Sequence, residues 1–199
     1  MRTLGWIFLG IVCFFLLVGM WGMVAYNAFQ TRDEKVSAAQ TNILNVYKKR
    51  ADLIPNLAAT VSRYAEHEKD VLLSVAAARA RAGQITLPPN PSAEDMKKFE
   101  QAQKELSSSL ARLLAVAESN PNLKANENFL DLQKQLAQIE TQAVIARRRY
   151  IEEVKAYNVN VRSFPNNLIA NRFGYTVKPQ LSLGDERELR RVPKVFDKQ

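Results

Sequence analysis

A chain of 199 residues with 28 Lys+Arg against 20 Asp+Glu carries a formal charge of +8, and 47% of it is hydrophobic. That length allows one domain, or a domain with an appendage, and can bury a core without disulfide staples. One His and one Cys exclude a Cys/His zinc cluster, an internal disulfide and most histidine-based catalysis, while the basic excess calls for an anionic neighbour such as nucleic acid, lipid headgroups or an acidic protein.

Residues 4–26 contain no charged side chain. A helix over this run reaches roughly 34 Å, enough to cross a bilayer core. Trp6 near one end, with Trp21 and Tyr26 near the other, suits interfacial anchoring. A soluble domain of this size has no use for a helix that is apolar all round. A cleaved signal peptide would have a shorter apolar region, about 7–15 residues, ending in a small-x-small site. The expectation is therefore a short flank at 1–3 and an uncleaved, single-pass transmembrane anchor at 4–26. Arg2 before the span and Arg32 and Lys35 after it do not separate the two orientations. Cys13, in the middle of the span, reads as a small apolar side chain in lipid.

Residues 27–173 read as helix throughout. Most glycines lie inside the apolar run, and no Asn-Gly or Asp-Gly pair offers a hairpin turn. The early stripe is Val36, Ala39, Ile43 and Val46, followed beyond Pro55 by Leu57, Val61, Tyr64, Val71, Val75 and Ala78. Pro55 either kinks one long helix or divides two. After Pro88, Pro89 and Pro91, Ser92 with Asp95 three residues on signals a helix start. Its stripe is Phe99, Ala102, Leu106, Leu110, Leu113 and Ala117. Between Pro121 and Pro165 a longer stripe runs from Phe129 to Phe164 at steps of three and four, a helix of about 40 residues or roughly 60 Å. The short connections at 82–91 and 119–124 make neighbouring helices antiparallel. The expected fold class is all-α: an N-terminal transmembrane helix, then an elongated antiparallel bundle of three to four long helices with coiled-coil-like packing. Residues 174–199 read as an extended tail lying along it.

Features that carry chemistry are sparse. His67 sits between Glu66 and Glu68, but adjacent helix residues point apart, so a solvated side chain is favoured over a metal site. No phosphate loop, Gly-x-Ser-x-Gly or dinucleotide fingerprint is present. Arg147, Arg148 and Arg149 fan over roughly 200° of helix, at least one flanking the stripe, and read as a solvated rim. Lys48, Lys49 and Arg50 form a basic cluster that meets lipid only if the domain lies down on the membrane. No catalytic residue, metal ligand or cofactor is assigned.

Other residues carry a resemblance. The stretch Lys48-Lys49-Arg50-Ala51-Asp52-Leu53-Ile54-Pro55-Asn56-Leu57 resembles the signature of the LemA family. Tyr64-Ala65 with His67-Glu68, Leu113 to Glu118, Leu123-Lys124-Ala125-Asn126 with Asn128-Phe129 and Leu132-Gln133 follow in order. Arg148, Tyr157-Asn158, Phe164-Pro165 and Phe173-Gly174 complete it, so the likeness covers residues 26–174. It implies a bacterial-type membrane protein with an N-terminal span and a helical domain, and no established catalytic activity. The chain departs from the family where Gln40 stands in place of a common Trp, and where Tyr150 is followed by Ile151 instead of Asn.

Asp52, Asn56, Asn126 and Asn158 are polar residues in or beside apolar stripes, where buried polar groups need partners. Asp52 and Asn56 are expected to satisfy backbone groups around Pro55, or to pair with Arg148 or Asn158 across the bundle. The candidate structural or partner-binding set is therefore Arg50, Asp52, Pro55, Asn56, Asn126, Arg148, Tyr157 and Asn158. The expected partners are the lipid bilayer, through residues 4–26, and a protein whose identity the sequence does not reveal; nucleic acid is disfavoured. The expected role is a non-catalytic interaction or scaffold module of the bacterial inner membrane. The alternative is a module that binds anionic lipid or nucleic acid through its basic clusters.

Overall fold

A computed structural model describes residues 2–64 and 68–181. His67, and residues 182–199 of the expected tail, lie outside the described residues. Among the described residues every regular element is helical: α1 (Arg2–Ser62), α2 (Lys69–Gln84), α3 (Ala93–Ser119), α4 (Pro121–Lys124), α5 (Glu127–Arg162) and α6 (Asn166–Phe173).

α1 is one helix, 61 residues long, with Pro55 inside it. At 1.5 Å per residue it extends about 90 Å. Its N-terminal part is long and apolar enough to cross a membrane, and none of that stretch is buried. The anchor boundary expected near residue 26 corresponds to no break in the chain. Ala25 and Phe29 are 5% and 0% exposed, so burial begins while the same helix continues.

Pro55 therefore neither ends nor divides the helix. Proline has no N–H, so the carbonyl of Ala51 loses its normal intrahelical donor. Arg79 of α2 supplies the replacement, its Nε donating to the Ala51 carbonyl oxygen at 2.8 Å. The expected continuity of the stripe through Tyr64 into Val71 is a correction in the other direction. The chain turns after Ser62 and restarts at Lys69, and α2 folds back on α1. Neither proline nor glycine marks this turn. Asn120 holds it from outside, donating through Nδ2 to the Tyr64 carbonyl at 2.9 Å.

α1 and α5 run antiparallel: Asn126 meets Tyr64, Glu140 meets Arg50, and Tyr157 shares Lys178 with Asp33. α3 follows the direction of α1, with the Phe99 ring 5.3 Å from that of Tyr47. α2 runs against both, joined to α3 by Arg81–Glu105 at 3.0 Å. Two apolar clusters result. One lies among α1, α2, α3 and α5 around Leu57, Val75, Leu106, Leu113 and Phe129. The other lies between α1 and α5, around Phe29, Ile43, Tyr150 and Val154, and is closed by Ala170 and Leu181. Each large apolar side chain fully buried in this way stabilises by about 1.5–3 kcal/mol.

The helix ends follow their local chemistry. Ser92 and Asp95 form a reciprocal capping box at α3. Asn120 caps α4 ahead of Pro121, and Asn126 caps α5. α5 stops at Arg162, short of the end of the expected stripe, so Phe164 is 80% exposed instead of buried. The Phe164–Pro165 bond is cis. α6 closes on Gly174 at φ 77°, left-handed backbone that glycine adopts without steric cost. Residues 175–181 then run extended back along α1 and α5 as a strap, with the Tyr175 ring stacked on Phe29 at 4.7 Å.

Candidate functional site

The residues singled out in the sequence do not converge on one place. Asn126 and Asn158 stand at opposite ends of α5, about 48 Å apart along the helix. Three separate polar features result.

The first is a buried cation. Arg50 is 2% exposed, although Lys48 and Lys49 beside it face solvent. The expected basic cluster is thus divided, because Arg50 continues the buried stripe, four residues after Val46 and three before Leu53. Its Nη1 donates to Glu140 Oε1 at 3.0 Å and to Ser107 Oγ at 2.9 Å. Its Nη2 donates to the Gln103 side-chain oxygen, and to the Gln103 carbonyl at 3.3 Å. The Tyr47 ring lies 4.9 Å from the guanidinium carbon, a cation–π contact. One guanidinium therefore joins α1, α3 and α5. A second pair, Arg147–Glu100 at 3.2 Å, crosses from α5 to α3.

The second feature closes the far end. Asn126 Oδ1 accepts from the Phe129 N–H at 3.0 Å, and its Nδ2 donates to the Tyr64 hydroxyl at 3.1 Å. Together with Asn120 it fastens the end of α1 to the α4–α5 corner.

The third fastens the strap. Asn158 is 6% exposed. Its Nδ2 donates to the Lys178 carbonyl at 2.8 Å, and its Oδ1 accepts from the Lys178 N–H at 2.7 Å. The side-chain amide thus pairs with a backbone amide in the strap. Lys178 Nζ reaches Asp33 at 2.8 Å and Asn90 Oδ1 at 2.6 Å, and lies 5.2 Å from the Tyr157 ring centroid. Exchanging Asn158 for alanine should leave the helices folded and release the strap. Hydrogen exchange at the Lys178 amide should accelerate roughly 10–100-fold, the equivalent of two lost hydrogen bonds. An unchanged rate would remove Asn158 from this role.

The remaining expectations need correction. Asp52 and Asn56 are exposed, and neither pairs with Arg148 or Asn158. The backbone carbonyl freed by Pro55 is taken by Arg79. Arg148 is exposed, because Ala146 and Tyr150 face the core and the intervening step turns it outward. Sequence reasoning missed Gln103, Ser107 and Glu140. These partners of Arg50 lie on other helices, and nothing local announces them.

Residues 39–196 match the LemA family. The chain belongs to the LemA family. The matched region begins inside α1, past the apolar stretch, and includes every candidate residue. No curated protein matches the chain. In this LemA-family chain Gln40 is 6% exposed and donates to the Pro88 carbonyl at 2.8 Å, which ties the α2–α3 loop to α1.

The LemA-family core also holds buried phenols. Burial pushes Tyr150 and Tyr157 up to about 12, with Asp33 and Tyr175 adding to the effect at Tyr157. Burial raises Tyr47 too, against the opposing pull of Arg147 and Arg50. A raised folded-state pKa means that the core holds the neutral phenol. The stability it contributes is complete below the unfolded tyrosine value near 10 and is lost as pH rises towards 12. The part of the phenolate absorbance that Tyr150→Phe and Tyr157→Phe remove should therefore rise together with the loss of helical ellipticity between about pH 10 and 12. That part appearing near pH 10 with helicity intact would contradict this.

Proposed function

We propose that the protein is a membrane-anchored scaffold of the bacterial cell envelope. In this reading α1 crosses the inner membrane once, through residues 4–26. An elongated antiparallel bundle of α1, α2, α3 and α5 then stands on it as a non-catalytic interaction module for a protein partner. The observation that carries the reading is the continuity of α1, whose exposed apolar stretch and buried core stretch belong to one helix. A domain joined to its anchor by a helix instead of a flexible linker keeps a fixed position relative to that anchor. From Tyr26 to Ser62 the helix rises about 54 Å.

The polar residues support a structural role. Arg50, Asn126 and Asn158 are engaged in joining helices and strap. Nucleic acid is disfavoured, because each basic cluster is divided: Arg50 and Arg147 are paired inward with Glu140 and Glu100, while Lys48, Lys49, Arg148 and Arg149 face solvent.

Crosslinking of the full chain in intact membranes, with a topology reporter fused after Gln199, tests the reading. A small recurrent set of proteins on the reporter's side is expected. Recovery of abundant neighbours only would count against a scaffold. Steeply salt-dependent capture of nucleic acid would favour the alternative.

A further inference from the structure

The anchor reading leaves a group of exposed apolar residues unexplained. α6 and the turn before it present Phe164, Leu168 and Phe173 at 80%, 56% and 57% exposure. Their place in the fold is fixed by α1. The Phe173 ring lies 5.1 Å from that of Tyr26, and the Tyr175 ring 6.4 Å. Tyr26 is the last residue of the apolar run, so this end of the domain sits where that run ends. α5 comes down antiparallel to α1, breaks after Arg162, and α6 turns the chain around there before the strap runs back up. The charge pattern is one-sided. Between Glu153 and Asp185 the sequence contains Lys155, Arg162, Arg172 and Lys178 and no Asp or Glu. Arg162 and Arg172 are exposed, whereas Lys178 is engaged with Asp33.

We propose that Phe164, Leu168 and Phe173 form a membrane foot that enters the headgroup–acyl boundary of an anionic bilayer beside the span, with Arg162 and Arg172 on lipid phosphates. This rests on the anchor reading and adds a second point of attachment to it. Aromatic side chains favour the membrane interface, and an interfacial helix buries its apolar face about 5–10 Å into it. Cations near an anionic leaflet add attraction that falls off within a Debye length. Two attachments fix the tilt and rotation of the domain, which the span alone leaves free. The reference position Leu73 lies on α2, six residues before Arg79, whose contact with Ala51 is about 38 Å along α1 from Tyr26.

The test uses the full chain with Cys13→Ala, which removes the one native thiol. Single sites Phe164→Cys and Leu168→Cys are labelled with an environment-sensitive fluorophore. Met23→Cys in the span and Leu73→Cys on α2 serve as references; these are 67% and 66% exposed, so a label replaces no core contact. Each variant is reconstituted into phosphatidylcholine–phosphatidylglycerol vesicles, with and without brominated acyl chains. The foot predicts blue-shifted emission at Phe164 and Leu168, and quenching by brominated chains as at Met23, with Leu73 unaffected. Labels at Phe164 and Leu168 that behave like Leu73, while Met23 is quenched, overturn the foot and leave the anchor standing. An unquenched Met23 overturns the anchor and the foot with it. A blue shift without quenching assigns the patch to protein and also overturns the lipid foot.

Discussion

Exchanging Glu140 for glutamine should cost the domain about 3 kcal/mol, more than exchanging its partner Arg50 for methionine, which should cost about 1–2 kcal/mol. The asymmetry follows from exposure. Arg50 is 2% exposed and Glu140 is 34% exposed. Removing the carboxylate strands a cation in the core, with only neutral acceptors and the Tyr47 face around it. Removing the guanidinium leaves an anion that already reaches water. Ser107 then still donates to the Gln103 carbonyl at 3.0 Å, so the chief loss is the donor to the Gln103 side chain. The Arg50→Met/Glu140→Gln double variant should recover most of the Glu140→Gln loss, because no uncompensated charge remains. Denaturant unfolding of the full chain in detergent, followed by helical ellipticity, measures all three. Asp52→Ala, two residues from Arg50 but exposed, should change stability by less than about 0.5 kcal/mol. A larger loss for Arg50→Met than for Glu140→Gln would mean that packing of the long side chain, and not burial of its charge, dominates the site.

This contrast between Arg50 and Asp52 shows where the sequence was legible. Periodicity located the helices and most of their core positions, because burial repeats every three or four residues wherever a helix packs along its length. Val36, Ile43, Phe99, Leu106, Tyr150 and Val154 all lie in the core. The same period, applied to every residue type, would have placed Arg50 inside and Asp52 outside. Reading Arg50 with Lys48 and Lys49 as a surface cluster let charge override register. The turn at the end of α1 was hidden for a different reason. Its position is held by Asn120, which is distant in sequence, and local breakers are absent. The strap was visible only as a tail, since a side-chain amide binding a backbone amide leaves no sequence pattern. Asn126 was easier, because capping is local and an Asn ahead of an apolar run is its ordinary signature. Of the polar residues that carry the LemA resemblance, Arg50, Asn126 and Asn158 serve three separate fastenings, whereas Asp52, Asn56 and Arg148 are exposed.

Replacing Pro55 with alanine should stabilise the domain by about 0.5–2 kcal/mol. An interior proline costs a helix about 3 kcal/mol, through a lost hydrogen bond and a clash with the preceding turn. Two effects offset that here. Proline restricts the unfolded chain, worth about 0.4–1 kcal/mol. Arg79 restores a donor to the Ala51 carbonyl, and a hydrogen bond of this kind contributes about 0.5–1.5 kcal/mol. What remains is the expected gain, since alanine returns the N–H and fits any helical position. The decisive measurement is a double-mutant cycle. Arg79→Ala in the native background should cost about 1 kcal/mol, because the Ala51 carbonyl then has neither partner. In the Pro55→Ala background the same change should cost close to nothing, because the helix satisfies its own carbonyl. The coupling energy of about 1 kcal/mol is the part of the Pro55 penalty that α2 removes. Additive losses would mean that Arg79 contributes only through its own packing. Coupling would mean that α1 crosses its proline as one helix because α2 folds back on it, so the continuity of α1 depends on a contact made about 38 Å along the helix from Tyr26.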